Sequence, residues 1–269
     1  MSKKPTMLIG IAGGSGSGKT FLTRAVQKGA GEHLVSVLSM DQYFQNLAEG
    51  SRPEHTNFDH PGHIDFEHLI NDLRSLKSGS DILAPDYDFA NRCRRQEPLL
   101  VRAHPVVIVE GLFVLADPIH HLLDLTCYLD VAPDQRLLGR ILRDSKERSA
   151  NIAQIVDRYQ RFVRPAYDVF VAPTKHNADV VVDFTYRRQL FTELLTHIAK
   201  DYVSGDLDFQ ALVKRVRVDT MHMGYQPEEG TMPFSVDIRK LAKAYPPSMI
   251  PHGVPMNPGE TPNLFLSES

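Results

Sequence analysis

The stretch MLIGIAGGSGSGKT, Met7 to Thr20, runs from a branched apolar segment into a glycine-dense loop that ends in Lys-Thr. It predicts a strand, a loop and the start of a helix. Gly13, Gly18, Lys19 and Thr20 fill the spacing G-x-x-x-x-G-K-[ST], and the intervening Gly14, Ser15, Gly16 and Ser17 are all small. The backbone N–H groups of such a loop can turn inward around a phosphate, because glycine accepts positive φ and has no Cβ to block the approach. A helix that begins at Thr20 points its positive end at the same phosphate. Lys19 is then placed to reach the β- and γ-phosphates and the Thr20 hydroxyl to ligate Mg²⁺. A Gly/Ser linker would match the spacing only by chance. The apolar run before it, and Phe21, Leu22, Ala25 and Val26 at helical spacing after it, favour nucleoside triphosphate binding.

Further apolar runs follow at Leu34 to Ser39, Val106 to Val109, Leu125 to Leu129 and Asp179 to Val182. Helical patterns lie between them: Phe66, Leu69, Ile70, Leu73 and Leu76, closing at Gly79; a helix from Pro133; another over Ile152 to Phe162; and a last one over Leu190 to Tyr202. This alternation predicts an α/β fold of the P-loop NTPase type, a mostly parallel sheet with helices on both faces. Two of the runs end in an acid. Asp41 follows the second strand, at the edge where open α/β sheets hold ligands, so it can take a proton from an attacking hydroxyl or hold Mg²⁺ through water. A turn or helix-cap aspartate explains the same residue equally well. Glu110 ends the buried run Val106 to Val109 and is the expected acidic partner of Mg²⁺.

Between these landmarks, residues 44–65 form a polar loop that, with His68, carries four histidines. A zinc site is not expected there, since no cysteine is near and the spacing fits no standard ligand pattern. Ile82 to Phe89 and Pro98 to Val101 predict a β-hairpin whose tip carries Arg92, Arg94 and Arg95, with Tyr87 and Phe89 on one side. Aromatics beside cations suit a flat or anionic ligand, although an ordinary exposed hairpin reads the same way. In the helix after Pro133, Arg136, Arg140 and Arg143 share one face and Leu137, Leu138, Ile141 and Leu142 the opposite arc. A solvated basic face is the usual meaning of such a stripe. Phosphoryl transfer also needs cations over the moving group, and that reading is preferred here.

The 269 residues suit one α/β domain with an appendage, or two small domains, and 42% hydrophobic content is enough for a proper core. A formal charge of −3 gives no overall basic field, so nucleic-acid binding is not expected. Cys93 and Cys127 imply no disulfide framework. Met1 to Thr6 is too short and polar for a signal peptide and no apolar run is long enough to span a membrane, so a cytoplasmic protein is expected.

The blocks GGSGSGKT (13–20), MDQYF (40–44), NFDHP (57–61), PDYDF (85–89), VVIVEG (106–111), RILRDSKER (140–148) and PTKHNADVVV (173–182) resemble, in order, those of the uridine/cytidine kinases within the group that includes the phosphoribulokinases. The resemblance runs from about Met7 to Tyr202. It implies ATP and Mg²⁺ as cofactors, with Asp41 as base for the acceptor hydroxyl and Thr20 and Glu110 around the metal. It also implies Lys19, Arg143 and Arg148 on the phosphates, Asp59 on sugar hydroxyls, and Phe58, Tyr87, Phe89 and Arg140 lining the acceptor pocket. Three positions depart from the family pattern. Arg92 stands where a histidine commonly reads the pyrimidine edge, Ala150 where an arginine is usual, and Arg158 where a base-pocket glutamine is common.

The resulting expectation is a kinase of the primary hydroxyl of a ribose-containing acceptor, foremost a pyrimidine nucleoside. A pentose or sugar-phosphate kinase and a non-catalytic nucleotide-binding regulator are the alternatives. Arginine in place of a neutral amide would favour an anionic acceptor. The expected partners are a small-molecule acceptor and further copies of the chain in a homo-oligomer. Residues 1–203 are expected to form the kinase domain and 204–269 an extension, Pro-rich after 245, with helices conceivable over Leu207 to Val216 and Phe234 to Ala244.

Overall fold

The structure is a computed structural model that describes residues 5–47, 56–147 and 151–208. Strand β1 (Met7–Gly13) is wholly buried and feeds, through the loop at 14–18, helix α1 (Lys19–Ala30). Strand β2 (Val35–Ser39) passes into a 3₁₀ turn, Met40–Tyr43, and helix α2 (Phe66–Lys77) starts at an Asp65 cap whose carboxylate accepts the His68 N–H. The expected hairpin is a nested pair of short antiparallel ladders. In the outer one β3 (Ile82–Ala84) pairs with β6 (Leu99–Val101), and in the inner one β4 (Tyr87–Asp88) pairs with β5 (Cys93–Arg94). Strands β7 (Val106–Gly111) and β8 (Leu125–Asp130) precede helix α3 (Pro133–Glu147).

Helix α4 (Ile152–Arg158) runs into a widened π turn at Tyr159–Val163, a short α5 (Arg164–Ala166) and a second π turn at Tyr167–Val171. Pro165, which has no N–H to give to the preceding turn, sits between the two widened turns. Strand β9 (Val180–Asp183) and helix α6 (Phe184–Ser204) follow.

The main sheet has the order β2-β7-β1-β8-β9, and every pairing in it is parallel. A parallel sheet covered on both faces buries both sets of alternating side chains. Met7, Ile9 and Ile11 of β1 pack with Leu22 and Val26 of α1 and Phe191 and Leu195 of α6, whereas Leu8 and Ala12 join Leu69 and Leu73 of α2 and Phe170 and Val171 on the other face. The register sets Ser39 beside Glu110, and Glu110 beside Ile11, so the ends of β2, β7 and β1 share one edge. Among the described residues no helix is long and apolar enough to cross a membrane.

Candidate active site

At that edge the loop after β1 has the conformation its glycines permit. Gly16 and Gly18 take φ of 84° and 91°, in the left-handed region that other residues enter at a cost. The Lys19 ammonium is buried and donates to the carbonyls of Gly13 (2.8 Å) and Gly14 (3.1 Å), which holds it across the mouth of the loop. Burial lowers its pKa while the charges of Glu110 and Asp41 pull the other way. The Ser17 hydroxyl is buried without a partner. A buried, unpartnered hydroxyl in a glycine-rich loop ahead of a helix N-terminus fits a bound phosphate.

Glu110 is buried, and one of its carboxylate oxygens accepts from both the Thr20 and the Ser39 hydroxyls, each at 3.0 Å. Burial raises its pKa, Lys19 opposes the rise and Asp41 adds to it. Two hydroxyls and a carboxylate, with the Asp41 charge close by, form an oxygen-only donor set of the kind Mg²⁺ takes. Asp41 lies in the turn after β2, half-buried. Ser39 carried no signal of its own in the sequence beyond its place as the last residue of a strand two positions before Asp41.

Helix α3 is oriented against its hydropathy. Arg136 is 1% exposed and Arg140 8%, whereas Leu138 and Leu142 are 53% and 62% exposed. The arginine stripe therefore faces the phosphate loop, and the solvated basic face is not what forms. The Arg140 Nη1 donates to the Ser15 hydroxyl at 2.8 Å and lies 3.7 Å from Asp59. Asp144, also buried, accepts from Arg143 Nε at 2.8 Å and stands 3.3 Å from Arg140 Nε. Burial alone would lower the Arg143 pKa, but its bond to Asp144 and the charges of Asp144, Asp41 and Asp59 together raise it. Asp144 has no place among the residues singled out from the sequence, although its i+4 spacing from Arg140 is legible there. The Arg136 guanidinium lies over the Tyr167 ring, 3.6 Å from the centroid, and donates to the Val131 carbonyl. These contacts hold the Arg136 side chain between the start of α3 and the second π turn.

The acceptor side is an aromatic cluster. Phe44 packs at 5.3 Å on Tyr87 and 6.3 Å on Phe58, and Tyr87 at 5.2 Å on Phe89, so the expected pair of hairpin aromatics does share one side. Asp59 is buried next to Phe58, and its amide is held by the Asn57 side chain. Arg94 serves structure instead. It donates to the carbonyls of Tyr43 and Phe44 and pairs with Asp65, which ties the hairpin to the turn after β2. Arg92 and Arg158 both approach the Phe58 ring, at 5.5 and 5.7 Å. Of the loop histidines, His60 caps the turn at Pro61–His63 and His68 pairs with Asp72. Arg148, Ala150 and the suggested helix at Phe234 to Ala244 lie outside the described residues, as does most of the one suggested from Leu207.

Residues 8–190 match the model of the Phosphoribulokinase / Uridine kinase family. The chain is 35% identical over 202 residues to a uridine kinase of Staphylococcus epidermidis, which covers 74% of this chain and 98% of that one. To a uridine kinase of Staphylococcus aureus it is 36% identical over 205 residues, 75% of this chain and 99% of the relative. Among solved structures, a protein of Silicibacter sp. TM1040 assigned as a fructose transport system kinase superposes with a TM-score of 0.50. The identity is 22%, over 59% of this chain and 81% of that one, a likeness of fold.

Proposed function

This chain belongs to the phosphoribulokinase/uridine kinase family and is an ATP-dependent kinase, a transferase; from that premise we propose that it moves the γ-phosphate of ATP to the primary, 5′-type hydroxyl of a ribose-containing acceptor. The observation that carries this reading is the setting of Arg143, which is bonded to the buried Asp144 and feels the charges of Asp41 and Asp59, with Lys19 in the same field. Phosphoryl transfer needs that combination: little covalent chemistry, but a base, a clamp on the acceptor and cations over the moving group.

In this proposal the loop at 13–20 cradles the ATP phosphates and Lys19 reaches the β- and γ-phosphates. Thr20 and Glu110 would hold Mg²⁺, which when bound neutralises charge on the phosphate oxygens. Asp41 orients the acceptor hydroxyl and takes its proton. Asp59 accepts from vicinal sugar hydroxyls, and Phe58, Tyr87 and Phe89 pack against the rest of the acceptor. Arg140 and Arg143, with Arg148 joining them in this reading, close over the γ-phosphate and exclude water. The two uridine kinase relatives, similar along nearly their whole length, support a pyrimidine nucleoside as acceptor. A cytoplasmic homo-oligomer belongs to the same proposal.

The test is ADP release across a panel of nucleosides, pentoses and sugar phosphates, with wild type and Asp41→Asn compared. The variant is expected to lose roughly 10²- to 10⁴-fold in turnover while ATP binding persists. Near-normal turnover in Asp41→Asn would take the base role away from this residue.

A further inference from the structure

The chain between β7 and β8, residues 112–124, leaves the edge of the sheet that carries Glu110 and returns to the start of β8, whose Leu125 pairs with Ile9 of β1. On the way it brings together Asp117, His120 and His121, three residues to which the kinase reading gives no part.

Their donor atoms converge. Asp117 Oδ1 lies 2.6 Å from His120 Nδ1 and 3.0 Å from His121 Nε2, and the three atoms fall within 4.8 Å of one another. Among the described residues no other three histidine, cysteine or carboxylate donors gather so closely. The two imidazoles are stacked, with ring centroids 3.8 Å apart. His120 Nδ1 is buried and, in spite of the short distance to the Asp117 oxygen, lacks the geometry of a hydrogen bond. A nitrogen and an oxygen that crowd together in this way fit a third atom shared between them.

The backbone that carries them is pinned on both sides. Phe113, Leu115 and Ile119 are buried in the core, and Asn177 Nδ2 donates to the Leu115 carbonyl at 2.9 Å. At the other end Lys77 of α2 donates to the Leu122 carbonyl at 2.6 Å and pairs with Asp124 at 2.9 Å, while Asp124 exchanges two 2.8 Å bonds with the backbone of Leu8. The 3₁₀ turn His120–Leu122 sits between these anchors. A frame held like this gives up little further freedom when it takes a ligand.

The donor types select the ion. Two imidazole nitrogens and a carboxylate oxygen suit Zn²⁺ and its borderline neighbours, whereas Mg²⁺ and Ca²⁺ take oxygen shells such as the one around Glu110. Zinc bonds of about 2.1 Å set tetrahedral ligands roughly 3.4 Å apart, so the oxygen has to separate from the two nitrogens by only about 0.8 and 0.4 Å. The His121 side chain is 69% exposed, which leaves the remaining coordination positions open to water.

We propose that Asp117 Oδ1, His120 Nδ1 and His121 Nε2 bind one divalent transition-metal ion of the Zn²⁺ class, which clips the segment between β7 and β8. The site differs in residues and in donor chemistry from the Thr20 and Glu110 set, and it stands whatever the acceptor of the kinase is.

The experiment uses the full chain, stripped of metal by chelation, dialysed into excess Mg²⁺ to engage the oxygen donors around Glu110, and titrated with Zn²⁺ by calorimetry. One Zn²⁺ per chain is expected. His120→Gln and His121→Gln should each weaken binding about tenfold or more. His121→Gln alters a largely exposed side chain and so is the variant least able to disturb the fold. His197→Gln, at an exposed histidine of α6, should leave the affinity unchanged. Zn²⁺ should raise the melting temperature of the wild type by more than that of either site variant, with the metal-free melting temperatures as the reference for fold. Co²⁺ in place of Zn²⁺ should give visible d–d bands that His121→Gln changes. Absence of Zn²⁺ binding would overturn the proposal, and so would an affinity equal in the wild type and both site variants. Zn²⁺ displaced by further Mg²⁺ would place it on the oxygen donors of the kinase centre and overturn it as well. None of these readouts is kinase activity, so their failure leaves the kinase reading intact.

Discussion

A Cβ added at Gly139 of α3 would stand 2.7 Å from the carbonyl oxygen of Gly16, so the phosphate loop and the arginine helix meet backbone to backbone at two glycines. A side chain added at Gly16 would in turn collide with the backbone carbonyl of Arg136. Gly139→Ala is therefore expected to push α3 off the loop, at a cost of roughly 1–3 kcal/mol. Both the melting temperature and the affinity for ATP should fall. Unchanged values of both would show that the helix rides clear of the loop in solution.

Thr20→Val keeps the shape of the side chain and deletes one of the two hydroxyls on Glu110. Mg²⁺-dependent turnover should drop roughly ten- to a hundredfold, with nucleotide binding in EDTA little altered. An equal loss in the two assays would point to a disturbed loop instead of a lost metal ligand.

Asp144→Asn removes a buried carboxylate that pairs with both Arg140 and Arg143. The expected loss is about 2 kcal/mol in urea unfolding, less than for a fully buried pair because 34% of the Arg143 side chain is exposed. Turnover should fall with it, since Arg143 loses the carboxylate that holds its Nε and Arg140 keeps only Ser15 and Asp59.

Glu110 gives a pH signature. Its native pKa is raised above the ordinary 4.5, chiefly by burial, so between 4.5 and the native value the folded chain holds a proton that the unfolded chain has released. Its contribution to stability is fully present below 4.5 and is lost as pH rises through the native value. The nucleotide-free protein should show this descending limb in melting temperature, and Glu110→Gln should flatten it. Because a metal requires the carboxylate, binding of Mg²⁺·ATP in that window should release a proton, measurable by calorimetry in buffers of different ionisation enthalpy.

What the sequence disclosed of this molecule is what is local. The loop at 13–20 is legible because its conformation depends on its own glycines, and β7 and β8 because a continuous apolar run has few alternatives in a covered parallel sheet. Asp41 and Glu110 follow from the rule that strand ends share an edge. The orientation of α3 was not legible from hydropathy, which turns leucines inward. Here the inward partners are the loop backbone, Asp59 and Asp144, groups that want guanidiniums, and only the assembled edge reveals them. The widened turns on either side of Pro165 were hidden because one proline marks a break without saying how neighbouring turns absorb it. The approach of Arg158 to Arg92 spans a separation that no periodicity covers.

The inverted α3 also bears on what holds the helix against the loop. A helix seated by its apolar face can lift away only by wetting hydrocarbon, but this one already has Leu138 and Leu142 in water and would wet arginines on departure. Its detachment from the loop therefore carries little hydrophobic penalty and is opposed mainly by ion pairs and hydrogen bonds, which dissolved salt weakens. The grip of α3 on the loop should therefore weaken as ionic strength rises.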